Sequence, residues 1–135
     1  MNRSGYDDDG WCEPWDIIRW RGAVSAAIRG KRGQAFLLEM WRAMQSLPEP
    51  KLIAEKLEAD GAVCAIGSVG KARGVDMSKI DPEDHEAVAE AFNIPHALAC
   101  EIMYENDDFR NEAPESRFAR MKEWIEKKLL PVVDG

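Results

Sequence analysis

Gln34-Ala35-Phe36-Leu37-Leu38-Glu39-Met40-Trp41-Arg42-Ala43-Met44-Gln45-Ser46-Leu47 is the stretch that decides the fold class. Phe36, Leu37, Met40, Trp41, Met44 and Leu47 recur at helical spacing, so one broad apolar stripe must be buried against other elements. Pro48 and Pro50 end this helix and pre-set a further short one carrying Leu52, Ile53 and Leu57, because proline fixes φ and withholds an amide donor. Asp60-Gly61 then reads as a turn.

Upstream, Ile17, Trp20, Val24, Ala27 and Ile28 repeat with the same period and predict a helix. Gly22 inside it costs roughly 1 kcal/mol against alanine, which points to a close approach by another backbone. Gly30-Lys31-Arg32-Gly33 breaks the chain between these two helices. Trp11 and Trp15 bracket Pro14 and are expected to anchor the preceding residues. Residues 1–12, with Asp7, Asp8 and Asp9 in a row, read as an acidic flexible tail, and 13–135 as a single helical domain.

Downstream, Ala62 to Ala72 is ambiguous. Val63, Ile66 and Val69 repeat every third residue among small neighbours, which favours a tightly packed helix, while a hairpin around Gly67-Ser68 stays open. Asp81-Pro82-Glu83-Asp84 has the chemistry of a helix start, with a capping aspartate, proline in the first turn and acids at the positive end of the dipole. Val88, Ala91 and Phe92 carry that helix inward. Asn93-Ile94-Pro95 restarts another, with Leu98 and Ile102 buried, ending near Asn106. Pro114 opens the last, where Phe118, Met121, Ile125 and Leu129 form the inward stripe before Pro131. The expected architecture is an all-α bundle of about six short helices.

Totals narrow the function. The 135 residues suffice for one domain with a real core, and 45 % apolar with 32 % charged residues is a globular composition. No apolar run approaches the ~20 residues of a membrane span, and Met1 to Gly10 is polar and acidic, unlike a signal peptide. Cys12, Cys64 and Cys100 are odd in number and far apart, so a reducing compartment, by default the cytoplasm, is expected.

Charge is segregated along the chain. Residues 17–34 carry Arg19, Arg21, Arg29, Lys31 and Arg32 and no acid. From Asp81 to Glu115, eleven acids stand against Arg110 alone, a larger deficit than the whole chain's −7. Such segregation sets fields and partners, not chemistry. The basic residues are one expected partner- or anion-binding group. Glu101, Glu105, Asn106, Asp107 and Asp108 form the other, as an acidic partner face. A net acidic chain repels phosphate backbones, which makes nucleic acid a weak partner even though Gly30 to Gly33, leading into a helix, has the outline of a phosphate-binding turn. The outline of a helix-turn-helix after Glu83 falls in the acidic part and reads as packing.

Catalytic patterns fail one by one. Gly67-Ser68-Val69-Gly70-Lys71-Ala72 lacks both the first glycine and the magnesium-binding hydroxyl of a P-loop. His96 and Cys100 are four apart on one helical face, a workable metal-ligand spacing, but nothing in the sequence brings Cys12, Cys64 or His85 to them, so packing is the expected role. An apolar setting makes Cys64 a poor nucleophile. No catalytic residue, metal or cofactor is expected.

Arg19-Trp20-Arg21-Gly22-Ala23-Val24, Ala27-Ile28-Arg29-Gly30-Lys31-Arg32-Gly33-Gln34 and Tyr104-Glu105-Asn106-Asp107 resemble an uncharacterised family of small phage and prophage accessory proteins, over about Trp15 to Leu130. Cys64-Ala65-Ile66-Gly67 with the later Asn106-Asp107 is also similar to small helical domains with a Cys-Ala-Leu-Gly segment, with Ile66 in place of the leucine. The first resemblance implies an accessory product in a bacterial host that acts by protein–protein contact on a host complex, inhibition of defence such as CRISPR machinery included.

Overall fold

A computed structural model describes residues 14–109 and 111–131. The chain runs α1 (Pro14–Arg29), α2 (Lys31–Gln45), β1 (Glu58–Ala59), β2 (Ala62–Val63), α3 (Ala65–Arg73), a 3-10 turn at Met77–Lys79, α4 (His85–Phe92), α5 (His96–Asp107) and α6 (Pro114–Lys128). The fold is all-α, as expected, with one minimal hairpin. No described helix is long and apolar enough to cross a membrane. The expected acidic tail over 1–12, and with it Trp11 and Cys12, lies outside the described residues, as do Trp15's side chain and Arg110.

The α2 stripe is buried through Phe36, Leu37, Met40 and Met44, as its spacing requires. Its start differs from expectation. Gly30 alone, extended at φ −65° and ψ 161°, separates α1 from α2, and helix resumes at Lys31 rather than Gln34. Gly33 therefore lies inside α2, where a β-carbon would stand 1.8 Å from the Ala27 carbonyl oxygen. The close approach expected at Gly22 occurs here instead. A β-carbon built on Gly22 would meet no other element of the described residues within 4 Å, because a one-residue link makes the two helices nearest at their joint and leaves Gly22 on the outer face of α1.

Leu52 to Leu57 forms no helix. Glu55 adopts the left-handed conformation (φ 68°), and the amides of Leu52 and Ile53 are spent on the carbonyls of Pro114 and Val63. Leu52 and Leu57 are nonetheless buried, so the apolar signal was correct and the local structure was not. Asp60 and Gly61, both at positive φ, turn the hairpin that pairs Glu58 with Val63 and Ala59 with Ala62. The hairpin considered at Gly67 is thus displaced to Asp60-Gly61.

α3 occupies the centre, with every residue from Val63 to Gly70 buried. Its small residues are a consequence of that position. A β-carbon on Gly67 would meet the Leu57 carbonyl at 2.0 Å, and one on Gly70 the Met77 sulfur at 2.5 Å. Cys64 caps the helix by accepting the Gly67 amide on Sγ at 3.3 Å. At the next helix Asp84, not Asp81, is the cap, accepting from the Ala87 amide at 3.1 Å, and Asp81 holds the preceding turn through the Glu83 amide. Asn93, left-handed at φ 56°, closes α4, and Ile94-Pro95 leads directly into α5, which is buried from Ala97 to Met103. α6 closes the core with Phe118, Met121 and Ile125.

Candidate functional site

Folding divides the basic group. Arg19, Arg29 and Lys31 are exposed and form no ion pair with another described residue. Arg21 reaches from α1 to α5 and donates two hydrogen bonds to the Glu101 carboxylate, at 3.1 and 2.9 Å. Arg32 donates to the carbonyl and the side-chain oxygen of Asn93, at 3.0 and 3.1 Å. Gly30 at the joint and Gly33 inside α2 are the positions against which the carbonyls of Ala26, Ala27 and Ile28 lie, so the expected four-residue turn is a one-residue joint.

The acidic group divides as well. Glu101 is 4 % exposed and Asn106 1 %, so both belong to the interior. Asn106 Oδ1 accepts the Ala65 amide at 3.1 Å, and its Nδ2 donates to the Ile53 carbonyl at 2.9 Å and to Asp107 at 2.8 Å. Asp107 also accepts the Glu55 amide at 3.0 Å. Burial, and then the charge of Glu101, push the Glu105 carboxyl above the usual range. Asp108 is exposed. α6 supplies the cations that the acidic segment lacks. Buried Arg117 donates to the carbonyls of Asn106, Leu52 and Phe109. Arg120 forms a two-pronged pair with Glu112, at 2.9 Å on both arms, with its guanidinium 4.6 Å from the Phe109 ring centre.

A third constellation joins residues that the sequence keeps apart. His85 is the first residue of α4, His96 the first of α5, and Cys100 follows one turn later. The turn at Asn93 sets the two helix starts beside each other. His85 Nδ1 meets His96 Nε2 directly, the rings lying 4.4 Å apart between centres and tilted by 31°. Cys100 Sγ stands 3.4 Å from the same His96 Nε2. Trp20 from α1 packs edge-on against the His96 ring at 6.0 Å. Both histidines are half-buried and reachable from solvent, whereas Cys100 is buried. Burial, aided by the charges of Glu101 and Glu86, pushes the Cys100 thiol up to about 12, so as a free thiol it stays protonated and a poor nucleophile. Desolvation and the facing His85 lower the His96 value. The His96/Cys100 spacing was visible in sequence; His85 was not, since only the α4–α5 crossing brings it in. Cys64 is elsewhere, at the α3 cap.

No family model matches the chain, and no curated protein or solved structure does.

Proposed function

We propose that this chain is a phage-type accessory protein that acts by binding an acidic surface of a host protein complex through the outer face of α1 and the α1–α2 joint. The carrying observation is that Arg19, Arg29 and Lys31 are exposed and unpaired among the described residues, in a chain whose net charge is −7. Ile18, Gly22 and Ala26 follow one another at helical spacing on the same outer face, and Ile18 is 61 % exposed. A flat strip of small and apolar side chains edged by arginines suits a protein surface, because backbones can approach closely while the cations steer and orient the encounter. The narrower reading, inhibition of a host defence complex such as CRISPR machinery, is supported by the resemblance of the Arg19–Val24, Ala27–Gln34 and Tyr104–Asp107 segments.

The test is capture from bacterial lysate, identification of the partner and titration with the purified components. Reversing Arg29 and Lys31 to glutamate is expected to weaken the complex by about tenfold or more, and added salt to weaken the wild-type complex in the same way. Affinity unchanged by the double reversal would refute the reading. Loss of the captured material on nuclease treatment, with a shift of DNA or RNA at low salt, would instead favour phosphate binding at Gly30–Gly33.

A further inference from the structure

We propose that His85, His96 and Cys100 form a binding site for a zinc-class transition-metal ion, with the fourth coordination position open to solvent. The inference is independent of the binding role of α1 and rests on how three donor atoms converge. All three lie within 4.8 Å of one another. A tetrahedral ion with bonds of about 2.0–2.3 Å to nitrogen and sulfur holds its donor atoms roughly 3.3–3.7 Å apart; the 3.4 Å between Cys100 Sγ and His96 Nε2 falls in that range, and His85 Nδ1 and His96 Nε2, now in direct contact, part to admit the ion.

Protons satisfy this arrangement only weakly. An imidazole nitrogen has one in-plane site, occupied either by a hydrogen or by a lone pair. His96 Nε2 faces both His85 Nδ1 and Cys100 Sγ. That single site is shared between the two neighbours only as a three-centre hydrogen bond, in which sulfur is a weak partner. A cation at the centre serves all three.

The donor set selects the ion. Two imidazoles and a thiolate suit zinc and its neighbours, whereas magnesium and calcium require oxygen ligands. On binding, the Cys100 S–H bond breaks, the sulfur–metal bond forms and the proton leaves to solvent. The starts of α4 and α5 place positive dipole ends near the ion. The thiolate offsets them, and Glu86 and Glu101 act on the same sulfur. Cys100 and Trp20 wall the inner side, and the half-buried histidines leave an approach from water.

Cobalt(II) and zinc are the probes, added to the reduced full chain. Cobalt is expected to bind stoichiometrically and to give a thiolate-to-cobalt absorption in the near ultraviolet. Zinc should displace it. Cys100→Ser should abolish the band, and Cys64→Ser should leave it in place. His85→Ala, at a half-buried helix start, should weaken zinc binding by about tenfold or more while helical circular dichroism is retained. A cobalt band that survives Cys100→Ser, zinc affinity untouched by His85→Ala, or no stoichiometric binding in competition with a chromophoric chelator would overturn the site.

Discussion

Gly33 lies so close to Ala27 that a β-carbon on it would stand 1.8 Å from the Ala27 carbonyl oxygen and 2.9 Å from the carbonyl carbon. Both obstacles are backbone, so no side chain can swing aside. Gly33→Ala is therefore expected to destabilise the fold by about 1–3 kcal/mol or to prevent folding. Gly22→Ala should do the reverse, stabilising by about 0.5–1 kcal/mol, since it removes a helix-interior glycine whose added β-carbon meets no other element of the described residues within 4 Å. Urea denaturation of the two variants against the parent decides both. Equal midpoints would contradict the packing described for the joint.

The pair between Arg21 and Glu101 links an exposed guanidinium to a carboxylate that is almost wholly inside. Arg21→Ala removes two charge-assisted hydrogen bonds from that carboxylate and is expected to cost about 1–3 kcal/mol. Arg19→Ala, two positions away and without an ion pair to another described residue, should change stability by no more than about 0.5 kcal/mol. Thermal melts of the two variants provide the comparison.

Asn106 ties three parts of the chain together by hydrogen bonds to Ala65, Ile53 and Asp107. Asn106→Ala leaves the Ala65 amide and the Ile53 carbonyl without this partner in the interior, at a cost of about 1–3 kcal/mol for each group left unsatisfied. Asn106→Asp keeps an acceptor for Ala65 but sets a second carboxylate beside Asp107. It is expected to be tolerated better at acid than at neutral pH. A denaturation series across pH tests this, and a pH-independent deficit for Asn106→Asp would refute it.

Hydrogen bonds from Arg73 and Arg120 hold the Glu39 and Glu112 carboxyls below the usual carboxylate range. A depressed folded-state value means that the unfolded chain takes up protons first. The stabilisation is thus complete above the unfolded carboxylate value, about 4.3, and is lost as pH falls through the folded values. Glu105 has the opposite sign, because burial raises it, so its contribution is lost as pH rises. At neutral pH Glu112→Gln should destabilise and Glu105→Gln should stabilise. Salt should weaken the exposed Glu39–Arg73 pair more than the Glu112–Arg120 pair, which is deeper. Chemical denaturation at pH 7 and below about 4 measures each effect.

Helices with a clear apolar stripe were legible in the sequence: α2, α5 and α6 bury most of the residues that their periodicity selects, and α1 buries Val24 and Ile28 but leaves Ile17 exposed. Local punctuation was legible in part. Asp60-Gly61 turned as its chemistry requires, and Pro114 opened α6, but Asp84 rather than Asp81 capped α4 because Asp81's side chain was already used by the turn before it. What could not be read was set by contacts between distant segments. Leu52 to Leu57 has helical composition, yet Glu55's left-handed backbone and the demands of Val63 and Pro114 decide its path. The charge split was plain, but its distribution in space was not. Glu101 went inside to meet Arg21, and Asn106 became a strut, because helix crossing, not composition, assigns a polar residue to a face. The His85 contact was hidden for the same reason.

Gln34 closes the molecule on itself. Its Nε2 donates to the carbonyls of Ile28 and Lys128, at 2.7 and 3.0 Å, and its Oε1 accepts the Leu130 amide at 2.8 Å. One side chain thereby joins the end of the first helix to the residues that follow the last. The chain's sequence is linear, yet the end of its first helix and the end of its last are held side by side, with residue 34 as the clasp. With the Trp41–Glu126 hydrogen bond and the packing of α2 on α6, that amide ties the ends of the first and last helices into one closed circuit.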